Sequence, residues 1–518
     1  MLSRAFTPTA PSSTLKIALT LIVFITSLPF LVGFDFKRAD IRDAMVKIYT
    51  VKNEPDQLNP WSSKGPKSSS GSGCIIEGRR ILTNAHVVSD QTFVQVRRHG
   101  TSEKLTARVV AVAHEVDLAL MTVDDETFFE SAKPLAIGEL PDVEENVVVF
   151  GFPQGGDTLS TTAGVLSRIE HQRYVHSRLS FLAGQIDAAV NPGNSGGPVI
   201  CDDKLVGVVM QMIKGAQSTG YMVPVPLVRH FLEDLKDGRY DGYPESGLVL
   251  QRLDNPGLRR SIGMKKGQSG VLVLDTVLGS PSHGNLVRGD VVLSIDGHAV
   301  ANDATVEFRP KERTSLNYYV QQKQIGEKLK VVFLREGSEK ETSLALDKPA
   351  GDGKLVPFRK YDARPAYYIY GGLIFQTLTY GYFQTIEEQD EDKVPYNLVP
   401  YHMYDKRKTE EEEVVILSRV LPSEVNHGYE RFADKRVVEV NGKPVVNLRD
   451  LVRLIEEDPS GPFVVFKTEH DQVIVIDRTA AEADRDRVMA VYNITSDRSP
   501  DLAKTAAAAE SLKLSLSY

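Results

Sequence analysis

Apolar positions change their spacing from one stretch of the chain to the next, and each spacing predicts a different element. Ile17 to Phe34 carries no charged residue and is mostly Leu, Ile, Val and Phe. Arg4 and Lys16 precede it and no acidic residue comes before Asp35, the positive-then-apolar order of a secretory signal. Interrupted by Pro29, the run lies between a long signal core and a short membrane span. The Ser/Thr-rich start, Met1 to Thr14, also resembles an organelle presequence. Residues 1–36 are therefore expected to be a signal peptide or membrane anchor, exporting the chain to a periplasm or tethering it to a membrane, with an organelle as the alternative.

Beyond it the pattern turns to short runs. Ala44 to Val51 reads as a strand, and Asn53 to Gly73, rich in Pro, Ser, Gly and Lys, as an exposed loop. Cys74–Ile76, Phe93–Arg97, Ala107–Val112, Leu118–Val123, Val147–Phe150, Val199–Ile200 and Leu205–Met210 are β-rich and separated by Gly and Pro, which predicts a barrel or sandwich. Pro226 to Leu235 reads as a closing helix and Asp237 to Gly247 as a linker. Downstream, Val291-Val-Leu-Ser-Ile-Asp-Gly-His-Ala-Val300 is echoed by Arg436-Val-Val-Glu-Val-Asn-Gly-Lys-Pro-Val445. Both are a strand, a tight Asp-Gly or Asn-Gly turn and a second strand. After the second copy, Leu448, Leu451, Val452 and Ile455 share one face of a predicted helix.

Length and composition narrow the class. A chain of 518 residues, 42% hydrophobic and 25% charged, calls for about three domains and excludes global disorder and a multi-span membrane protein. The net charge of -8 lacks the basic footprint of a nucleic-acid binder. Two cysteines, Cys74 and Cys201, exclude a disulfide framework; two separate thiols are expected, a single bridge being the alternative. No metal-ligand spacing such as HExxH and no GxxxxGK[ST] loop occurs, so no metal, cofactor or ATP is expected.

Three segments carry chemistry: Ile81-Leu-Thr-Asn-Ala-His86-Val-Val, His114-Glu-Val-Asp117-Leu-Ala-Leu, and Asp187-Ala-Ala-Val-Asn-Pro-Gly193-Asn-Ser195-Gly-Gly-Pro198. A serine hydroxyl is a weak nucleophile and needs a base to take its proton and an acid to orient that base. His86 and Asp117 suit those roles toward Ser195, the arrangement of a Ser-His-Asp triad. The glycines around Ser195 allow a tight bend that exposes backbone N–H groups as an oxyanion hole, with Gly193, Asn194 and Ser195 as its candidates.

At these residues the sequence resembles the Deg/HtrA serine endoproteases. Gly71-Ser-Gly73, Thr83-Asn-Ala-His86-Val-Val, Asp117-Leu-Ala-Leu and Asp187 to Pro198 are similar to that family's three catalytic segments. Pro60-Trp61, Phe152-Pro-Gln-Gly-Gly-Asp157, Gly220-Tyr-Met-Val-Pro224 and Gly371-Gly-Leu-Ile-Phe375 resemble the long, two-PDZ branch of plants and their bacterial relatives.

The resemblance implies a mainly β protein, a chymotrypsin-like double β-barrel protease domain over 37–238. It further implies two PDZ-like α+β domains over 245–348 and 355–480, leaving 481–518 as a C-terminal tail. It places a specificity pocket at Val190, Val208, Val209 and Met210, and a PDZ carboxylate loop at Ser261, Ile262, Gly263 and Met264. Expected partners are unfolded or damaged proteins, C-terminal peptides at the first PDZ domain, and further copies of the chain in multiples of trimers. The expected activity is ATP-independent endoproteolysis in quality control. The alternative is a latent protease acting as a chaperone or peptide-binding scaffold.

Overall fold

The computed structural model describes residues 41–130, 132–154, 156–212, 220–457 and 461–503, so the apolar run Ile17–Phe34 lies outside the described residues. Among those residues no helix is long and apolar enough to cross a membrane.

The chain first builds two β lobes. Strands β1 (Met45–Lys52), β2 (Lys67–Ile76), β3 (Arg80–Thr83), β4 (Gln91–Arg98), β5 (Leu105–Thr106), β6 (Arg108–Ala113) and β7 (Leu118–Thr122) form one antiparallel sheet in the order β5-β4-β1-β2-β3-β7-β6. Strands β8 (Asn146–Gly151), β9 (Ser160–Arg173), β10 (Ser180–Ile186), β11 (Pro198–Cys201), β12 (Lys204–Met212) and β13 (Gly220–Pro224) close into a barrel in the order β10-β13-β12-β11-β8-β9. A closed barrel leaves no unpaired strand edge. A helix, Val225–Asp234, follows and buries Leu227, Val228 and Phe231.

One sequence expectation is corrected here. The Ser-rich stretch from Lys67 to Gly73 is strand, paired with β1 from Lys52↔Lys67 to Met45↔Cys74. Ladder bonds come from the backbone and do not require apolar side chains. The small residues are needed for packing: a side chain at Gly71 would come within 2.7 Å of Val87 Cγ1.

Two α+β units follow. The first has a sheet edged by β14 (Leu248–Gln251), next to Val271–Thr276. The second is edged by Tyr367–Tyr370. The repeated hairpins are present in both. Asp296 and Gly297 have φ of 48° and 83°, Asn441 and Gly442 51° and 75°, and two successive left-handed residues are what a two-residue hairpin turn of the primed type requires. In the second unit, Asn447 caps the helix Leu448–Glu456 by accepting from the Asp450 N–H at 2.8 Å. Leu448, Leu451, Val452, Leu454 and Ile455 are buried on it.

The second unit does not stop at residue 480. That position lies inside a helix, Arg478–Val491, capped by Asp477. The chain then returns along the sheet edge. Ile369 N–H donates to Asp497 O at 2.7 Å, Ser499 N–H donates to Tyr367 O at 3.0 Å, and Arg498 bridges Tyr368. The expected tail is therefore folded structure up to Leu502, which is buried in the unit's core. Cys74 and Cys201 are both free thiols, and burial pushes that of Cys74 up to about 12.

The units are seated on the lobes by polar contacts. His171, on β9, places Nδ1 2.8 Å from Thr314 Oγ1 and Nε2 3.3 Å from Gln321 Oε1 of the first α+β unit. Burial pulls its pKa down to about 4. An undocked histidine takes a proton near 6.5, so from pH 6.5 down to about 4 the separated state binds more protons and the contact weakens as pH falls. Protection of the amides over 312–324, taken relative to the intrinsic exchange rate at each pH, is accordingly expected to be lower at pH 5 than at pH 7.5, with the difference reduced in His171→Gln.

Candidate active site

His86 lies on a one-turn helix, Ala85–Val88, at the end of β3. Its neighbours Ala85, Val87 and Val88 are buried, so their packing leaves the His86 ring at the surface of the cleft between the two lobes. Asp117 stands in the turn before β7 with φ of 61° and no solvent exposure. Aspartate tolerates this left-handed backbone better than most residues. Its carboxylate accepts the His86 backbone N–H at 3.0 Å and faces His86 Nδ1 at 2.8 and 3.0 Å. Asn84 Nδ2 donates to the Asp117 carbonyl at 2.8 Å. Imidazole and carboxylate are thus fixed at both backbone and side chain, which orients Nε2 away from the acid.

Ser195 lies in a turn from the second lobe, pressed against the first. Ser72 N–H, on β2, donates to Ser195 O at 2.9 Å. A side chain at Gly196 would meet Ser72 O at 2.2 Å and Thr83 Oγ1 at 2.3 Å, so only glycine allows this approach. Among the described residues no hydrogen bond joins Ser195 Oγ to His86 Nε2; serine–histidine contacts are often long in the absence of substrate.

The backbone N–H groups around Ser195 differ in what takes them. Pro192 O accepts from Gln154 N–H at 2.7 Å. In a planar trans peptide the N–H points opposite the carbonyl, so this bond turns the Gly193 N–H the other way. Among the described residues no acceptor takes the N–H of Gly193 or of Ser195. Asn194 is different: its N–H donates to Asn191 O at 3.0 Å. Of the three expected donors, Asn194 is therefore engaged within its own turn and two remain available. Sequence reasoning missed the brace behind them. The Ser72 hydroxyl donates to Gly193 O at 2.7 Å and accepts the Phe152 N–H at 2.8 Å. It sits within Gly71-Ser-Gly73, but nothing local distinguishes it from the neighbouring serines.

The expected pocket residues divide between two faces. Val190, Val208, Val209 and Met210 are all buried. Val208 and Met210 belong to the large core shared by the lobes, whereas Val190 and Val209 belong to the interior of the second. Successive strand residues point to opposite faces, so Val208 and Val209 cannot line one pocket. The proposed carboxylate loop is also displaced. Ile262, Gly263 and Met264 donate their N–H groups to Leu258 O, Arg260 O and Arg259 O, closing the helix Pro256–Ser261, and Met264 packs with Leu253, Val291 and Leu334. Ser261 closes onto the same helix, its hydroxyl donating to Leu258 O at 2.9 Å. The sheet of that unit has two edges, β14 and the strand Ser338–Ala345.

Among the described residues no group of three or more His, Cys, Asp or Glu side chains is placed to hold a metal ion.

Comparison with known proteins bears on the whole chain. The trypsin-like peptidase domain family matches residues 71–208, and PDZ domain families match 257–346 and 356–501. A putative protease Do-like 3, mitochondrial, of Arabidopsis thaliana is 39% identical over 463 residues, 89% of this chain and 80% of the relative. Protease Do-like 2, chloroplastic, of the same plant is 37% identical over 90% of this chain and 76% of the relative. A solved HtrA-type protease, AlgW, with a decapeptide overlays 61% of this chain and 98% of its own with a TM-score of 0.46 at 22% identity.

Removing the Ser72 hydroxyl tests the backbone brace. Losing one oxyanion donor outright costs about 100- to 1,000-fold in kcat, and loosening one costs less. Ser72→Ala is expected to lower kcat on the order of tenfold with KM little changed, measured on a casein or peptide substrate beside a thermal melt.

Proposed function

This chain belongs to the Do-like (Deg/HtrA) family of serine endopeptidases, a trypsin-like protease domain followed by two PDZ domains, and from that premise we propose that it cleaves unfolded or damaged proteins without ATP through His86, Asp117 and Ser195. The observation that carries this reading is the His86–Asp117 pair set in the same cleft as two unclaimed backbone donors beside Ser195. In the proposed cycle His86 takes the proton of Ser195 Oγ as that oxygen attacks the scissile carbonyl, and Asp117 stabilises the imidazolium. The Gly193 and Ser195 N–H groups receive the oxyanion. His86 returns the proton to the leaving amine, then activates the water that hydrolyses the acyl-enzyme.

Client peptides are proposed to bind at the first PDZ domain by adding a strand at the β14 edge. In the second PDZ domain the strand that corresponds to β14 is Leu373–Thr377, and its outer edge already pairs with Tyr367–Tyr370 of the same chain, which favours a structural role for it. The relatives named above are mitochondrial and chloroplastic, and with the Ser/Thr-rich start this supports an organelle as the place of action.

A second reading has one observation in its favour, the absence of a Ser195–His86 hydrogen bond among the described residues: a latent protease that works as a chaperone. The two readings separate on one experiment. Residues 36–518 are incubated with casein without ATP, wild type against Ser195→Ala. Cleavage by the wild type alone is expected. Cleavage by neither, with suppression of client aggregation retained by both, would establish the chaperone reading instead.

A further inference from the structure

The cleft contains two side chains that the triad chemistry does not use, Tyr174 and His176, from the loop joining β9 to β10. Tyr174 is 1% exposed, with its ring edge-on to Phe181 at 5.9 Å. Its hydroxyl lies 3.3 Å from His86 Nδ1, near enough to Asp117 for the carboxylate to oppose ionisation of the phenol. His176 stacks on the His86 ring, 5.6 Å between centroids and 2° from parallel. Two residues on one loop thus meet the edge and the face of the same imidazole.

We propose that Tyr174 and His176 are positioning residues for His86, the hydroxyl holding its Nδ1–H tautomer on Asp117 and the second imidazole holding the plane of its ring. This rests on the reading of His86 as the catalytic base. The hydroxyl offers its oxygen to the Nδ1 proton, which already faces the Asp117 carboxylate, so three groups share one geometry in which Nδ1 is occupied and Nε2 is free. Burial keeps the phenol protonated and a donor. The stacked ring removes water from one face of His86 and closes off rotation about its ring axis. Burial, and then repulsion from His86, hold His176 down to about 4, so at neutral pH it is uncharged. A neutral aromatic face tolerates the imidazolium that forms during acylation, whereas a second cation would oppose it.

His176 is itself fixed from outside the lobes. Tyr361, in the segment between the two PDZ domains, places its hydroxyl 3.3 Å from His176 Nδ1 and stacks on His114 at 4.8 Å. That segment is pinned on both sides of Tyr361. Arg359 pairs with Asp90 at 3.1 Å. The Asp362 carboxylate accepts the Asp90 N–H at 2.5 Å and lies 2.9 Å from His114 Nε2. The charged and titratable groups around the stacked pair are therefore Asp117, Lys52, Arg359, Tyr361 and Tyr174, Arg359 and Tyr361 sharing one segment and the others coming each from its own.

The test separates a positioning role from simple packing by three readouts in the full chain lacking residues 1–35. The first is the division of effect between kcat and KM. Misplacement of a catalytic group acts on kcat, so Tyr174→Phe and His176→Ala are each expected to lose on the order of tenfold in kcat with KM unchanged. The second is rescue: His176→Phe, which keeps a flat ring, is expected to recover most of the loss that His176→Ala incurs. The third is the low-field proton resonance of the His86–Asp117 hydrogen bond in histidine-labelled protein, expected to shift or broaden in Tyr174→Phe. Wild-type kcat in both variants together with an unmoved resonance would overturn the proposal. Cleavage that survives Ser195→Ala would instead overturn the triad reading, and the resonance, which needs no turnover, still decides the positioning. A melting temperature for each variant excludes unfolding as the cause.

Discussion

Asp117 is a carboxylate with no exposure to solvent, and burying a charge requires that donors replace the water it has lost. That requirement organises the centre of the protein. The backbone N–H of His86 and its Nδ1 supply the donors from the end of β3, and the hydroxyl of Tyr174 closes against Nδ1 from the β9–β10 loop of the other lobe. The acid therefore ties together segments far apart in sequence. Its left-handed backbone, at the turn before β7, aims the carboxylate back at the one-turn helix that carries His86. With the imidazole fixed there, the Ser195 turn has only to approach along Ser72, Thr83 and Asn84, where Gly196 removes the side chain that would stop it.

The residues proposed for the chemistry were legible in sequence for a physical reason. Nucleophile, base and acid are restricted to few residue types, and the glycines that bend the backbone beside them add a second constraint at fixed spacing. The paired hairpins were equally plain, because Asp-Gly and Asn-Gly are among the few dipeptides that accept two left-handed residues in succession. Ser72 was hidden: its serine and glycine neighbours read as loop, and only the ladder to β1 makes them strand. Tyr174 and His176 follow no period at all, and their meeting with His86 depends on the lobes having already come together. The pocket expected at Val190 and Val208 to Met210 shows the opposite limit, since apolar identity was clear but the face of β12 on which each residue lies was not.

The contacts between domains have a different character from those within them. Arg359 and Asp90 are both almost fully buried, and removing either partner of such a pair leaves an uncompensated charge, a change that typically costs several kcal/mol. Trp61, from the stretch between β1 and β2, packs edge-on against Tyr367 of the second PDZ domain at 6.2 Å. Gln376 of that domain donates to Gln57 O at 3.1 Å. These links fix the second PDZ domain against the first lobe, while the first PDZ domain is held by the second lobe through His171 and through Arg309, which donates to Pro141 O at 2.8 Å.

The return of Asp497–Ser499 along Tyr367–Tyr370 has a consequence for solubility. An unpaired strand edge recruits other strands, and proteins that expose one usually defend it with charge, proline or a covering segment. Here the cover is a stretch of the same chain with the polar sequence Ser496-Asp-Arg-Ser499. A protease works among partly unfolded polypeptides and freshly cut fragments, which are the species most ready to add to a bare sheet. Trimming the chain before Asp497 would expose such a sheet within the enzyme's own body, turning a closed domain into a seed for co-aggregation with its substrates.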